Sequence, residues 1–297
     1  MDLSHRIIAI VGGDEREQEI ARCAVETGAQ VRGYGFPWPA SDIAGVRRTA
    51  TAADALLDAD YALFPIPGLS PDGALFAPAC SAPIYPDVPL LQGMRPNATI
   101  ILGWADEKLS TAAENCGIAL SEYESDTELM LLRGPAIVEG ALQAAIENTE
   151  ITLHNARIGV IGHGNIGRLL ARTLVLLGGR VQVFARNPVQ RADAASAGAD
   201  SHPLEDLDER IGQLDMVFST VPTRVLTGDL LERMRPGLVM DLAAPPGGID
   251  LEAAERLGHS AVWARGLGRR APVTVGRSQW SGIVRRIAEA EEQRNES

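Results

Sequence analysis

Short apolar runs alternate along this chain with segments whose apolar positions recur every three or four residues. Uninterrupted short apolar runs fit strands buried on both faces, and helical patterns between them give the βαβ rhythm of a covered parallel sheet. Strands are expected at residues 6–11, 30–34, 61–65, 98–102 and 118–120, and again at 157–161, 180–184, 216–220, 238–242 and 260–264. The first helix should start at Asp14, with Glu17 three residues on as in a capping box. Its apolar Ile20, Ala21, Cys23 and Ala24 share a face, and Gly28 follows its end. Further helices are expected at 138–148, 166–177 and 275–295.

Residues 64–96 are rich in proline and glycine, which argues against a regular helix there. A long loop inside a compact domain is usually either functional or mobile, and this one is expected to face a substrate. At roughly 150 residues per domain, the length predicts two domains. We expect an α/β protein of two Rossmann-like doubly wound parallel-sheet domains with an interdomain cleft. Residues 1–135 would form the first domain and 136–274 the second, with a final helix, 275–297, packing back on the first.

Hydrophobic residues make up 45% of the chain and charged residues 22%, enough for a sizeable core. The net charge of −12 excludes nonspecific attraction to nucleic-acid phosphates, and 4% aromatics leave few platforms for base stacking. No apolar run looks long enough to cross a bilayer, and the first residues lack a signal-peptide layout, so a cytoplasmic protein is expected. Cys23, Cys80 and Cys116 are too scattered for a disulfide framework or a metal clip, so no metal is expected. Lys108 is the only lysine, and any Schiff-base chemistry would have to use it.

The strongest local signal is Gly162-His163-Gly164-Asn165-Ile166-Gly167, which follows an expected strand and opens an expected helix. Gly162 permits the tight turn, Gly164 admits a pyrophosphate to the backbone N–H groups, and Gly167 lets helix and strand pack closely. The helix start supplies unpaired N–H groups and a positive dipole end. His163 reads as a residue of this loop. In NAD enzymes an acidic residue about 20 positions on holds the ribose 2′-hydroxyl. Here the next strand ends in Ala185-Arg186-Asn187, and a guanidinium suits a 2′-phosphate and predicts NADP. Arg191 is a second candidate contact. Thr220-Val221-Pro222 ends a later strand on the nicotinamide side. Asp241, before Pro245-Pro246-Gly247-Gly248, either lines the same crevice or caps an Asx-type turn. The first-half turn Gly12-Gly13-Asp14-Glu15-Arg16 lacks the third glycine and puts carboxylates where phosphates would sit. That half should serve the substrate, with Arg16 a candidate for a substrate carboxylate.

The run from Gly12 to Ile20, Val138-Glu139-Gly140, the glycine-rich turn, Ala185-Arg186 and Asp241 to Gly248 together resemble the A subunit of dipicolinate synthase, in the same order over nearly the whole chain. The resemblance implies an NADP-binding Rossmann domain after an N-terminal domain, oxidation of a dihydrodipicolinate-type cyclic dicarboxylate, and partnership with a flavoprotein-like B subunit. It also matches Glu139 to the family. The segments 133–137 and 266–274 depart from the family pattern, the second lacking its lysine and carrying Arg269 and Arg270 instead.

The expected reaction is hydride transfer between nicotinamide and a carbon beside nitrogen or oxygen of a small cyclic imino or dicarboxylic acid. Glu139 and Asp241 are the acid–base candidates, and Arg16, Arg133, Arg269 and Arg270 the carboxylate-holding candidates. A homo-oligomer is expected. One alternative is a 2-hydroxy-acid dehydrogenase, with His259 the only late histidine. The other is a noncatalytic NADP-binding subunit.

Overall fold

The computed structural model describes residues 1–296. It comprises two compact units, one made of Met1–Arg133 with the C-terminal segment from Ala271, the other of Gly134–Arg270. The first holds strands β1 (Ile7–Val11), β2 (Gln30–Tyr34), β3 (Val46–Arg48), β4 (Tyr61–Leu63), β5 (Thr99–Leu102) and β6 (Ala119–Glu122). They pair in parallel in the order β3-β2-β1-β4-β5-β6. The second holds β7 (Arg157–Ile161), β8 (Arg180–Phe184), β9 (Asp200–His202), β10 (Met216–Ser219), β11 (Leu238–Asp241) and β12 (Ser260–Trp263). Their order, β9-β8-β7-β10-β11-β12, repeats the first, again all parallel. Each sheet therefore reverses direction of build-up beside its first strand, where the carboxyl ends of a doubly wound sheet open a crevice.

Successive side chains of a strand point to opposite faces, and in the second sheet both faces are buried. Met216, Phe218, Leu238 and Met240 pack in one core, while Val217 and Val239 between them pack in another. This is why the inner strands read as unbroken apolar runs. The edge strands β3 and β9 fall outside the sequence expectation because they are short and polar, Val46-Arg47-Arg48 and Asp200-Ser201-His202.

The first helix runs from Arg16 to Glu26, two residues later than expected, because the Asp14 side chain turns onto the Arg16 backbone N–H (3.2 Å) and its guanidinium. Glu17 does reach back to the Asp14 N–H at 2.7 Å, the acidic half of a capping box. Residues 64–96 form one helical turn, Val88–Leu91, capped by Asp87, and an otherwise irregular segment with Leu69, Leu75 and Ile84 in the core. This segment covers the end of β1, where the Gly13 N–H donates to the Phe76 carbonyl at 2.7 Å.

The helix Pro272–Glu296 packs on the Arg16–Glu26 helix. Gly276 permits that approach, since a Cβ there would lie 2.7 Å from the Arg16 carbonyl oxygen. Arg277 pairs with Glu19, and Arg285 and Arg286 with Asp126. Against the sequence expectation, one helix, Thr127–Glu147, is by length and composition apolar enough to cross a membrane. Its Val138, Ala141 and Ala145 belong to the buried core of the second unit, a use for apolar residues that needs no bilayer.

Candidate cofactor and active site

β7 ends at Ile161, and the chain turns through Gly162, His163 and Gly164 into the helix Asn165–Leu176. Gly162 has a φ of +90°, and a Cβ on it would lie 2.6 Å from Thr220 Oγ1. A Cβ on Gly167 would lie 2.4 Å from the Gly162 carbonyl oxygen, so helix and turn touch only because that residue is bare. Gly164 differs: a Cβ there would meet nothing within 4 Å and would project into open space over the turn. No side chain caps this helix and its first turn is free of acidic residues, leaving its N–H groups and dipole to an anion.

Gly162, His163, Gly164, Arg186, Thr220, Val221 and Pro222 line one cavity of about 350 Å³. Asn165, Ile166, Gly167 and Asn187 do not line it, whereas Gln190, Leu204, Thr223 and Val225 do, unflagged by any local sequence signal. Among the described residues that line it, none is acidic. Arg186 is exposed and its guanidinium makes no ion pair among the described residues. Asn187 acts as an N-cap, its Oδ1 accepting the Val189 N–H at 2.9 Å. Arg191 donates to the carbonyls of Ala185 (2.9 Å) and Arg186 (2.7 Å), bracing the link that presents Arg186. A bare glycine and an uncapped helix start beside one cavity fit the phosphates of a dinucleotide.

Asp241 makes the contacts of the turn-capping alternative. Its buried carboxylate accepts the N–H groups of Ala243 (3.0 Å), Gly248 (2.6 Å) and Ile249 (3.0 Å), folding back the loop that holds the cis Pro245-Pro246 bond. Glu139 and Arg270, expected in separate roles, meet as an ion pair of 2.5 Å, each side chain about half exposed. Arg269 lies beside Arg270 in the turn Leu267–Arg270. His259 is buried, with Nε2 3.1 Å from the Leu231 carbonyl and Nδ1 accepting the Gly237 N–H at 3.3 Å. Both ring nitrogens serve packing, which removes it as the catalytic histidine of a 2-hydroxy-acid dehydrogenase.

In the first unit the equivalent turn after β1 is closed to phosphate. Gly12 N–H donates to Tyr34, Gly13 N–H to Phe76 and Asp14 N–H to Glu17, and a Cβ on Gly12 would lie 2.9 Å from Pro65. Arg16 is buried and forms a two-pronged pair with Asp14, both contacts 2.7 Å. Its guanidinium therefore already has a carboxylate. Arg133, also buried, pairs with Glu124 at 3.2 Å. Burial pushes the Glu17 carboxyl up to about 7, with Arg16 opposing the shift. Tyr123 is raised as well, by burial and by the charge of Glu17.

Residues 7–124 match the family model of the N-terminal domain of the dipicolinate synthase A subunit. Residues 137–240 match that of the NAD-binding domain of D-isomer-specific 2-hydroxyacid dehydrogenases. The dipicolinate synthase A subunit of Bacillus subtilis (strain 168) is 27% identical over 284 residues, 95% of this chain and 96% of that protein. Over nearly its whole length the chain is similar to the dipicolinate synthase A subunits. The crystal structure of the dipicolinate synthase A subunit from Bacillus halodurans superposes with a TM-score of 0.87 at 26% identity, covering 97% of this chain and 99% of that one. A transhydrogenase from Sinorhizobium meliloti, 20% identical with a TM-score of 0.70 over 91% of this chain and 87% of its own, shares the fold. The second unit is thus an NAD(P)-binding domain of dehydrogenase type, and the chain an oxidoreductase.

Proposed function

We propose that this chain is an NADP-dependent oxidoreductase that acts on a small cyclic imino or dicarboxylic acid such as dihydrodipicolinate, as the A subunit beside a flavoprotein-like B subunit. The substrate and partner are inferred from the similarity to dipicolinate synthase A subunits. The cofactor choice rests on one observation: Arg186 lines the cofactor cavity and no described acidic residue does. A carboxylate there would accept a ribose hydroxyl and repel a 2′-phosphate, whereas a guanidinium binds the phosphate through two parallel N–H groups.

Bound nicotinamide supplies the hydride chemistry, and the chain's task is to orient and to handle charge. The bare backbone at Gly164 and the start of the Asn165–Leu176 helix would hold the pyrophosphate, and Arg186 the 2′-phosphate. Glu139 is the proton-handling candidate that remains, since Asp241 is committed to its loop. Its ion pair with Arg270 gives it a release: a substrate carboxylate drawn to Arg270 and Arg269 competes with Glu139 and frees its oxygens for a proton. Arg16 and Arg133, each already paired, would take a substrate carboxylate only by exchanging Asp14 or Glu124 for it.

Titrating the purified chain with NADPH and NADH, followed by intrinsic fluorescence, tests the cofactor. Tighter NADPH binding is expected, and a preference for NADH overturns the reading. Absorbance at about 340 nm with cyclic imino acids, alone and with a B subunit, tests the substrate class. Tight NADPH binding with no turnover under any of these conditions favours the noncatalytic subunit.

A further inference from the structure

In the first unit a cavity of about 400 Å³ lies at the carboxyl ends of β2 and β3, lined by Tyr34, Gly35 and Phe36 from the one and by Arg48 and Thr49 from the other. In the second sheet the cofactor cavity reaches over the ends of β8 and β9 to Phe184 and Leu204, and β2 and β3 are the counterparts of those strands in the strand order. Both cavities thus lie where doubly wound sheets take their ligands. The volume in the first unit is that of a small-molecule site.

Aromatic residues are only 4% of the chain, yet three fall in the five residues from Tyr34 to Trp38, and all three line this cavity. Phe36 and Trp38 stack with ring centroids 5.0 Å apart and planes at 22°. Gly33 in β2 admits the pair, since a Cβ there would lie 2.9 Å from Phe36 and 3.0 Å from Trp38. Phe36 is buried, whereas Tyr34 and Trp38 are half-buried and keep aromatic surface for a ligand. Arg48 is exposed, and its guanidinium carbon lies 5.3 Å from the centre of the Trp38 ring. It makes no ion pair among the described residues and is the only charged residue among those that line the cavity. On a chain of net charge −12, a single cation beside an aromatic stack selects for an anion with a flat ring. We propose that this cavity binds a planar aromatic ring carrying an anionic group, the ring stacking on Trp38 and the anion pairing with Arg48. Two sources offer that chemistry, a nucleoside monophosphate and an aromatic carboxylate. A dinucleotide does not, because the Gly12 and Gly13 N–H groups of the adjoining turn are bonded to Tyr34 and Phe76 and leave no cradle for a pyrophosphate.

Calorimetric titration of the full chain with adenosine 5′-monophosphate and with pyridine-2,6-dicarboxylate, beside adenosine and inorganic phosphate, tests the cavity. At least one of the two aromatic anions should bind, about tenfold or more tighter than either adenosine or phosphate. Which of them binds tells the nucleotide source from the aromatic acid. Arg48→Gln, a change at an exposed side chain, should weaken that binding about tenfold, and Trp38→Leu should do the same. R48Q carries the test alone if W38L does not fold. Gly164→Ala should leave the binding unchanged, which separates this cavity from the cofactor site. Binding of neither aromatic anion, phosphate bound as tightly as both, or binding that R48Q leaves intact or G164A abolishes overturns the proposal. The cofactor reading stands or falls separately, on the NADPH titration.

Discussion

Asp241 Oδ2 accepts the backbone N–H of Gly248 at 2.6 Å. The Ala243 and Ile249 N–H groups converge on the same carboxylate, so truncation strands three backbone donors at once. Asp241→Ala should lower stability in urea unfolding by about 3 kcal/mol or more, and Asp241→Asn, which keeps one acceptor, by clearly less. A D241A protein of normal stability that had lost turnover would return Asp241 to the chemistry.

Glu17 makes folding depend on pH. Its carboxyl ionises near the usual 4.5 in the unfolded chain but at about 7 when folded, because burial disfavours the charge. The raised value means that stability is fully present below about 4.5 and is lost as pH rises through about 7. At about 1.4 kcal/mol per pH unit the loss amounts to more than about 3 kcal/mol. Glu17→Gln should remove it, so the stability difference between variant and wild type should shift in the variant's favour from about pH 5 to pH 8. A difference constant with pH would show that Glu17 ionises as an ordinary surface carboxyl.

The glycines of the phosphate turn should separate by phenotype. Gly162→Ala places a side chain at a φ of +90° and against Thr220, and is expected to cost about 1–3 kcal/mol of stability. Gly164→Ala meets no protein atom, so it should melt like the wild type and yet lose more than about tenfold in NADPH affinity. Equal loss of stability in both, or normal affinity in G164A, would remove the cradle from the turn.

Arg186→Gln should weaken NADPH by about 10–100-fold and leave NADH almost unchanged, since only the former offers a phosphate for two charge-assisted bonds. Parallel fluorescence titrations read both. Equal weakening would mean that Arg186 stacks on the adenine they share.

The inner strands and the phosphate turn were legible in the chain because their determinants are local. β10 and β11 are apolar on both faces, and Gly162, Gly164 and Gly167 lie within a single turn and helix start. The edge strands were not legible: Arg47 and Arg48 are exposed and extend only because β2 offers them a free edge. The roles of the polar residues were decided by the fold. Asp241 read equally well as a crevice residue or a turn cap until the chain brought Gly248 and Ile249 back to it. Glu139 and Arg270 stand 131 positions apart, and His163 and Asp193 30, so no spacing rule pairs them. A side chain's charge and shape are properties of its own residue, but what that charge faces is set by whichever distant segments the sheet brings beside it.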